Sequence, residues 1–232
     1  MMNRSILQEK LVALYLRLNG YFTTGLIIHS ADDGNVDGEI DIIGVRFKNH
    51  HQHDRLIGCS SYLEIPEDCD IDLLIGEVKG QNASLRFNKS VRENNDRRHK
   101  LLSWIGLFAV NDLKYLNEEL SKAIQPREVN SSEKFERILH KSKMGLISIR
   151  PIIFAPDRPL PRNNQLKYIN GQVMMDYCWE CFRPAVRRVS CETNYAPMSN
   201  WGEQFMELVK YFKDQNKKEA GSPAELYSYF NL

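Results

Sequence analysis

The sequence predicts an α/β fold with helical elaboration toward its C-terminal end. Three observations carry that reading. From Asn3 to Asn19 the apolar residues Ile6, Leu7, Leu11, Leu14 and Leu18 recur at helical spacing. Short β-branched runs separated by turn residues follow, as expected of strands. Near the end, Trp201, Phe205, Leu208, Val209 and Phe212 form one apolar stripe at helical spacing. With 232 residues, the chain can form one large domain or a core with a substantial appendage.

The first helix stops at Gly20, since glycine takes the left-handed conformation of a helix end without penalty. Tyr21 to His29 (YFTTGLIIH) reads as a strand, and ADDGNVDG, Ala31 to Gly38, as a turn-rich link. Glu39 to Phe47 (EIDIIGVRF) is a second strand, and a His-rich polar loop leads to a third at Ile71 (IDLLIGEVKG). Helices are expected from about Asp96 to Val110 and from Leu113 to Ile124. GLISIRPIIFAP, Gly145 to Pro156, is apolar and β-branched and reads as a strand. After a proline-rich loop, a helix is expected between Asn170 and Pro184. The last opens at Ser199 or Asn200, with Glu203 placed for a capping box.

Composition sets the class. No apolar run approaches the ~18–20 residues that span a bilayer, and Gln8, Glu9, Lys10 and Arg17 interrupt the first helix too often for a secretory leader. The five cysteines are odd in number and scattered, so a disulfide framework is not expected and a reducing cytoplasm is. Cys178 and Cys181 are helix neighbours without the second ligand pair that structural zinc needs. The net charge of +1 excludes wholesale coating by nucleic acid, so any such contact must come through a local patch.

One strand carries chemistry at its end. Glu77 and Lys79 lie two apart and share a face of the sheet. Asp41 sits between Ile40 and Ile42, where a carboxylate is costly unless solvated, paired or bound to a metal. Glu39 lies nearby on the same face, but Asp41 is deeper in the apolar run. If the two strands are neighbours, Asp41 and Glu77 converge on a divalent cation with the oxygen ligands that Mg²⁺ prefers. Lys79 then stands beside an attacking water and the charge developing on a phosphate. Glu9 shares its helix face with Val12, Ala13 and Leu16 rather than with the charged side. The basic series Arg86, Lys89, Arg92, Arg97, Arg98 follows directly and reads either as a solvated face or as contacts to a phosphate backbone.

Glu9, the Gly20-Tyr21-Phe22 helix end, Glu39-Ile40-Asp41 and Glu77-Val78-Lys79, in that order, resemble the PD-(D/E)XK nuclease superfamily. The layout is closest to members of the archaeal Holliday junction resolvase type. The resemblance implies a restriction endonuclease-like αβββαβ core, a mixed central sheet flanked by helices, over residues 1–156. Residues 157–232 form a C-terminal elaboration packed on that core. It implies that Asp41, Glu77, the Val78 carbonyl and Glu9 hold Mg²⁺ or Mn²⁺ and that Lys79 positions or activates water. The implied activity is phosphodiester hydrolysis, foremost as a DNA endonuclease, with a homodimer and a targeting protein as compatible partners and no membrane. Two departures stand out: Ile40 replaces the proline that often precedes the first Asp, and an insertion around 48–70 lengthens the spacing to Glu77 enough to cover the site or shape substrate choice. The competing expectation is a nuclease-like fold without catalysis, serving as a nucleic-acid-binding or protein-interaction subunit.

Overall fold

The computed structural model describes residues 3–29, 36–50, 57–125, 135–160, 168–183, 201–214 and 216–232. Helix α1 (Arg4–Leu18) starts where the Asn3 side chain accepts the Ile6 N–H and ends at Asn19. Gly20 then turns the chain at φ 88°, and His50 fills the space that a Cβ there would need. Strands β1 (Phe22–His29), β2 (Val36–Phe47) and β3 (Ile71–Val78) form an antiparallel meander.

The chain next crosses over through α2 (Lys89–Arg92), α3 (Asn95–Ile105), a 3₁₀ turn (Val110–Asp112) and α4 (Leu113–Ala123). It returns as the hairpin β4 (Ile138–Ser142) and β5 (Gly145–Ala155), with β5 parallel to β3. The two-residue β6 (Ile169–Asn170) pairs with the end of β5, and α5 (Gly171–Phe182), α6 (Gly202–Lys213) and α7 (Pro223–Tyr229) complete the chain. The result is an α/β fold on a six-stranded mixed sheet, five strands in the order β1-β2-β3-β5-β4 and β6 beside the end of β5. Among the described residues no helix is long and apolar enough to cross a membrane.

Each face of the sheet has its own core. Leu7, Leu11 and Leu14 of α1, Met174 and Cys178 of α5, Phe205 and Phe212 of α6, and Leu226 of α7 meet Ile42, Leu74 and Phe154 on one face. Leu101, Leu116 and Leu120 of α3 and α4 meet Ile43, Leu73, Ile75 and Ile149 on the other. β3 is thus covered on both sides, which explains why Leu73, Leu74 and Ile75 follow one another without alternation. Cys178 and Cys181 are buried thiols within the first core, while Cys191 lies outside the described residues.

Several expectations need correction. The helix expected to reach Val110 stops at Ile105, because Gly106 takes φ 73° and ends it. The capping box expected of the last helix belongs to a helix the sequence reading lacked: Ser222 and Glu225 form it at the start of α7. α6 follows Trp201, which makes no side-chain cap, and Ser199 and Asn200 lie outside the described residues. β4 also went unpredicted, since five residues with Lys141 and Ser142 among them carry no apolar run. The insertion does not cover the site where it is described, at 57–70. Tyr15 donates to Ser60 at 2.7 Å and the Ser60 N–H donates to Asn19 at 2.8 Å, which ties the segment to the C-terminal end of α1. From there it enters β3 at Ile71, roughly 20 Å of strand away from Glu77 at ~3.3 Å per residue.

At the end of β3 remote from Glu77, a buried ion pair ties β3 to β5. The Arg150 guanidinium donates to both oxygens of Asp72, at 2.9 and 2.5 Å. Ser148 and Tyr21 hydroxyls donate to the same carboxylate, at 2.8 and 2.6 Å. Both charges are essentially inaccessible, with Asp72 at 0% and Arg150 at 2% exposure, so the pair persists only because its donors and acceptors are matched.

Candidate active site

The site forms where β2 and β3 part. Their ladder runs from Phe47↔Ile71 to Ile42↔Gly76 and stops there. The next residues, Asp41 and Glu77, would be the following cross-strand pair, on one side of the sheet. Instead of continuing the ladder, Asp41 Oδ2 accepts the Val78 N–H at 2.6 Å, so its carboxylate fills the gap between the strands.

A β-bulge aims it there. Against β1, Ile43 pairs with Thr24 and Ile40 with Leu26, so Asp41 and Ile42 together oppose Gly25. Ile40 and Ile43, three apart, enter the same core layer while Ile42 enters the other, which an unbroken period of two does not permit. A Cβ on Gly25 would stand 3.4 Å from the Asp41 carbonyl oxygen, so a small residue suits the strand opposite the bulge.

Glu77 is fully buried. Its Oε1 accepts the Lys79 ammonium at 2.6 Å, while Oε2 has no hydrogen-bond partner. Burial first, then repulsion from Asp41, pushes the Glu77 carboxyl up to about 7, against the opposing pull of Lys79 and the Asn88 backbone N–H. Asp41 is also raised, by burial first and by Glu39 among the charges, while the Val78 N–H and Lys79 hold it down. Glu9 is raised by burial foremost, with Asp41 and Glu39 adding to it. The Ser5 hydroxyl donates to Glu9 at 3.1 Å and favours its charged form. Neighbouring carboxylates thus raise one another in a setting that favours neutralisation by a cation or by protons.

Asp41 and Glu77 come together with Lys79, as the sequence reading expects. Glu9 joins Asp41 rather than Glu77: it lines a cavity of about 400 Å³ between α1 and the bulged strands, together with Lys10, Thr23, Thr24, Glu39 and Asp41, and Glu77 and Lys79 are not part of that lining. Among the described residues no three His, Cys, Asp or Glu side chains gather closely enough to hold a metal as a group. Among the basic residues, Arg86 and Lys89 are exposed and Arg92 pairs with Glu93 at 2.9 Å. Arg97 is half-buried, with its Cδ packed near Gly38. Arg98 departs from the expected phosphate contact. It is buried at 5% exposure, and it donates to Asn117 and to the Val91 and Arg92 carbonyls at 2.8–2.9 Å, so its charge clamps α2 to α4.

Two features of the site escaped the sequence reading. The bulge has no signature beyond the count of residues between apolar positions. Asn88, which accepts from Lys79 at 2.7 Å, looks in sequence like any asparagine before a helix. No family model, curated protein or solved structure gives a match to this chain.

Proposed function

We propose that this chain is a divalent-metal-dependent nuclease of the PD-(D/E)XK type, hydrolysing phosphodiester bonds and acting foremost as a DNA endonuclease. The observation that carries the reading is the fully buried Glu77 carboxylate beside Asp41. Its Oε1 takes the Lys79 ammonium at 2.6 Å, while Oε2 makes no hydrogen bond of good geometry, the Asn88 backbone N–H acting on the carboxylate only as a nearby dipole. An orphaned carboxylate oxygen in the interior costs stability unless something completes it. A hard cation with oxygen ligands suits that place, and Asp41, Glu77 and the Val78 carbonyl are the groups that would hold Mg²⁺ or Mn²⁺. Further support comes from the chain order. A helix, an antiparallel three-strand meander, a helical crossover and a strand parallel to the third follow the restriction endonuclease-like sequence of elements, with the β4 hairpin as an addition.

When bound, the cation supplies Lewis-acid stabilisation of the charge that builds on the phosphodiester. The chain's own groups do the rest. Lys79 has three N–H donors, of which Glu77 and Asn88 take two, leaving one for a water or a phosphate oxygen. Glu77 and Asp41 fix that ammonium electrostatically, and Glu9 keeps the adjoining cavity acidic. Arg86 and Lys89, exposed after β3, are the residues best placed to contact the phosphate backbone.

The test is a cleavage assay on single-stranded, duplex and branched DNA with Mg²⁺ or Mn²⁺. Wild type is expected to cleave at least one substrate, and Glu77→Ala and Lys79→Ala to fall by roughly a hundredfold or more. Equal cleavage by all three proteins refutes the assignment. DNA binding without cleavage by wild type moves the protein to the non-catalytic class.

A further inference from the structure

Four helices of the described chain open on an asparagine. Asn3, Asn94 and Asn170 each accept the backbone N–H three residues on, as N-cap asparagines do. Asn88 holds the same position before α2 and makes no such bond. Its Oδ1 points instead to Lys79 Nζ, 2.7 Å away.

The support beneath Asn88 is firm. Its carbonyl accepts the Val91 and Arg92 N–H groups, which fixes its backbone at the start of α2. Phe87 and Val91 on either side are buried at 4% and 1% exposure. The ammonium is therefore held between an acceptor on β3 and an acceptor on the crossover segment. A lysine bonded to Glu77 alone could swing about its flexible stem; two acceptors in different elements define one position. The second acceptor is also neutral. A carboxylate there would add negative charge beside Asp41 and Glu77 and draw the Lys79 charge away from a substrate phosphate.

We propose that Asn88 is a positioning residue, which sets the Lys79 ammonium against the Asp41–Glu77 pair. Its catalytic meaning rests on the nuclease reading, but its action on Lys79 is measurable without cleavage. Because the Asn88 side chain does not cap α2, Asn88→Ala leaves that helix start intact, and the melting temperature checks this. The decisive measurement is competitive acetylation of lysines by acetic anhydride, read by mass spectrometry, with exposed Lys114 as internal reference. In wild type Lys79 reacts much more slowly than Lys114. In Asn88→Ala its relative rate rises severalfold, whereas Asn88→Asp, which keeps an acceptor oxygen, leaves it slow.

The cleavage arm separates the two claims. Asn88→Ala is expected to lower kcat about tenfold with KM unchanged, and Asn88→Asp also to lower kcat through its added charge. An unchanged Lys79 rate in Asn88→Ala overturns the inference whatever the activity. Equal acceleration in both variants overturns it too, since that would report only a loosened α2. Full kcat in Asn88→Ala against an active wild type removes the catalytic role. An inactive wild type sinks the nuclease reading, while the acetylation rates still decide the placement of Lys79.

Discussion

At neutral pH Glu77 stands near its own midpoint, and that has a thermodynamic consequence. Its carboxyl is raised from an ordinary 4.5 to about 7 in the folded chain. Between those values the folded protein keeps a proton that the unfolded chain has released, so stability falls as pH rises through the window. Below the window the loss is absent; above it the loss is complete, on the order of 3 kcal/mol. Glu77→Gln removes the titration. The stability of wild type relative to this variant should therefore decline from pH 4.5 to 7.5 and then level off, as read by urea denaturation. At pH 8, added Mg²⁺ should raise the Tm of wild type and leave that of Glu77→Gln unchanged. One residue earlier, Gly76 allows close packing: a Cβ there would run into Ile42 and stand 3.0 Å from Phe154. Gly76→Ala should cost about 1–3 kcal/mol by overpacking, measurable in the same denaturation experiment.

The elements divide into those that hold the site and those that aim it. β3 and β5 hold it, locked by the Asp72–Arg150 pair. Arg150→Met leaves Asp72 buried without its counter-charge and should destabilise the chain by about 3–5 kcal/mol. Adding Asp72→Asn to that variant should recover much of the loss, with chemical denaturation of both variants as the check. β2 and the start of α2 aim the site, the first through its bulge and the second through Asn88. Only part of this was legible in the sequence. Asp41, Glu77 and Lys79 could be found because charged groups stand out in apolar strands. Glu9 could be placed on the inward face of α1 but not assigned to the cavity it shares with Asp41 and Glu39, since periodicity gives a direction and not a neighbour. Arg98 looked like its basic neighbours, because its burial depends on Asn117, 19 residues further along the chain in α4.

At the scale of the molecule, the C-terminal helices complete the core that α1 begins. Phe205, Leu208, Val209, Phe212 and Leu226 share it with Leu7, Leu11 and Leu14. The expectation that 157–232 packs on the 1–156 core therefore has a direct test. A chain ending at Phe182 exposes the outer side of α1 and should bind a hydrophobic dye and lose its cooperative melt, whereas the full chain should not bind the dye. The overall order of elements was readable because periodicity and turn residues are local. The short β4 was not, because Lys141 and Ser142 break its apolar alternation although its partner β5 follows directly. Nor was α7, because seven residues are too few for periodicity to show, although its Ser222–Glu225 capping box is a local signal.

The bulge in β2 makes the site a matter of counting. Asp41 is the surplus residue: without it, Ile40, Ile42 and Ile43 would alternate cleanly between the two cores. Deleting the Asp41 codon should yield a protein that expresses, melts no lower than wild type and cleaves nothing. On the nuclease reading, that deletion is a single in-frame event that removes the chemistry and keeps the scaffold. Where selection on activity lapses, descendants that keep the scaffold and lack the carboxylate are the expected outcome.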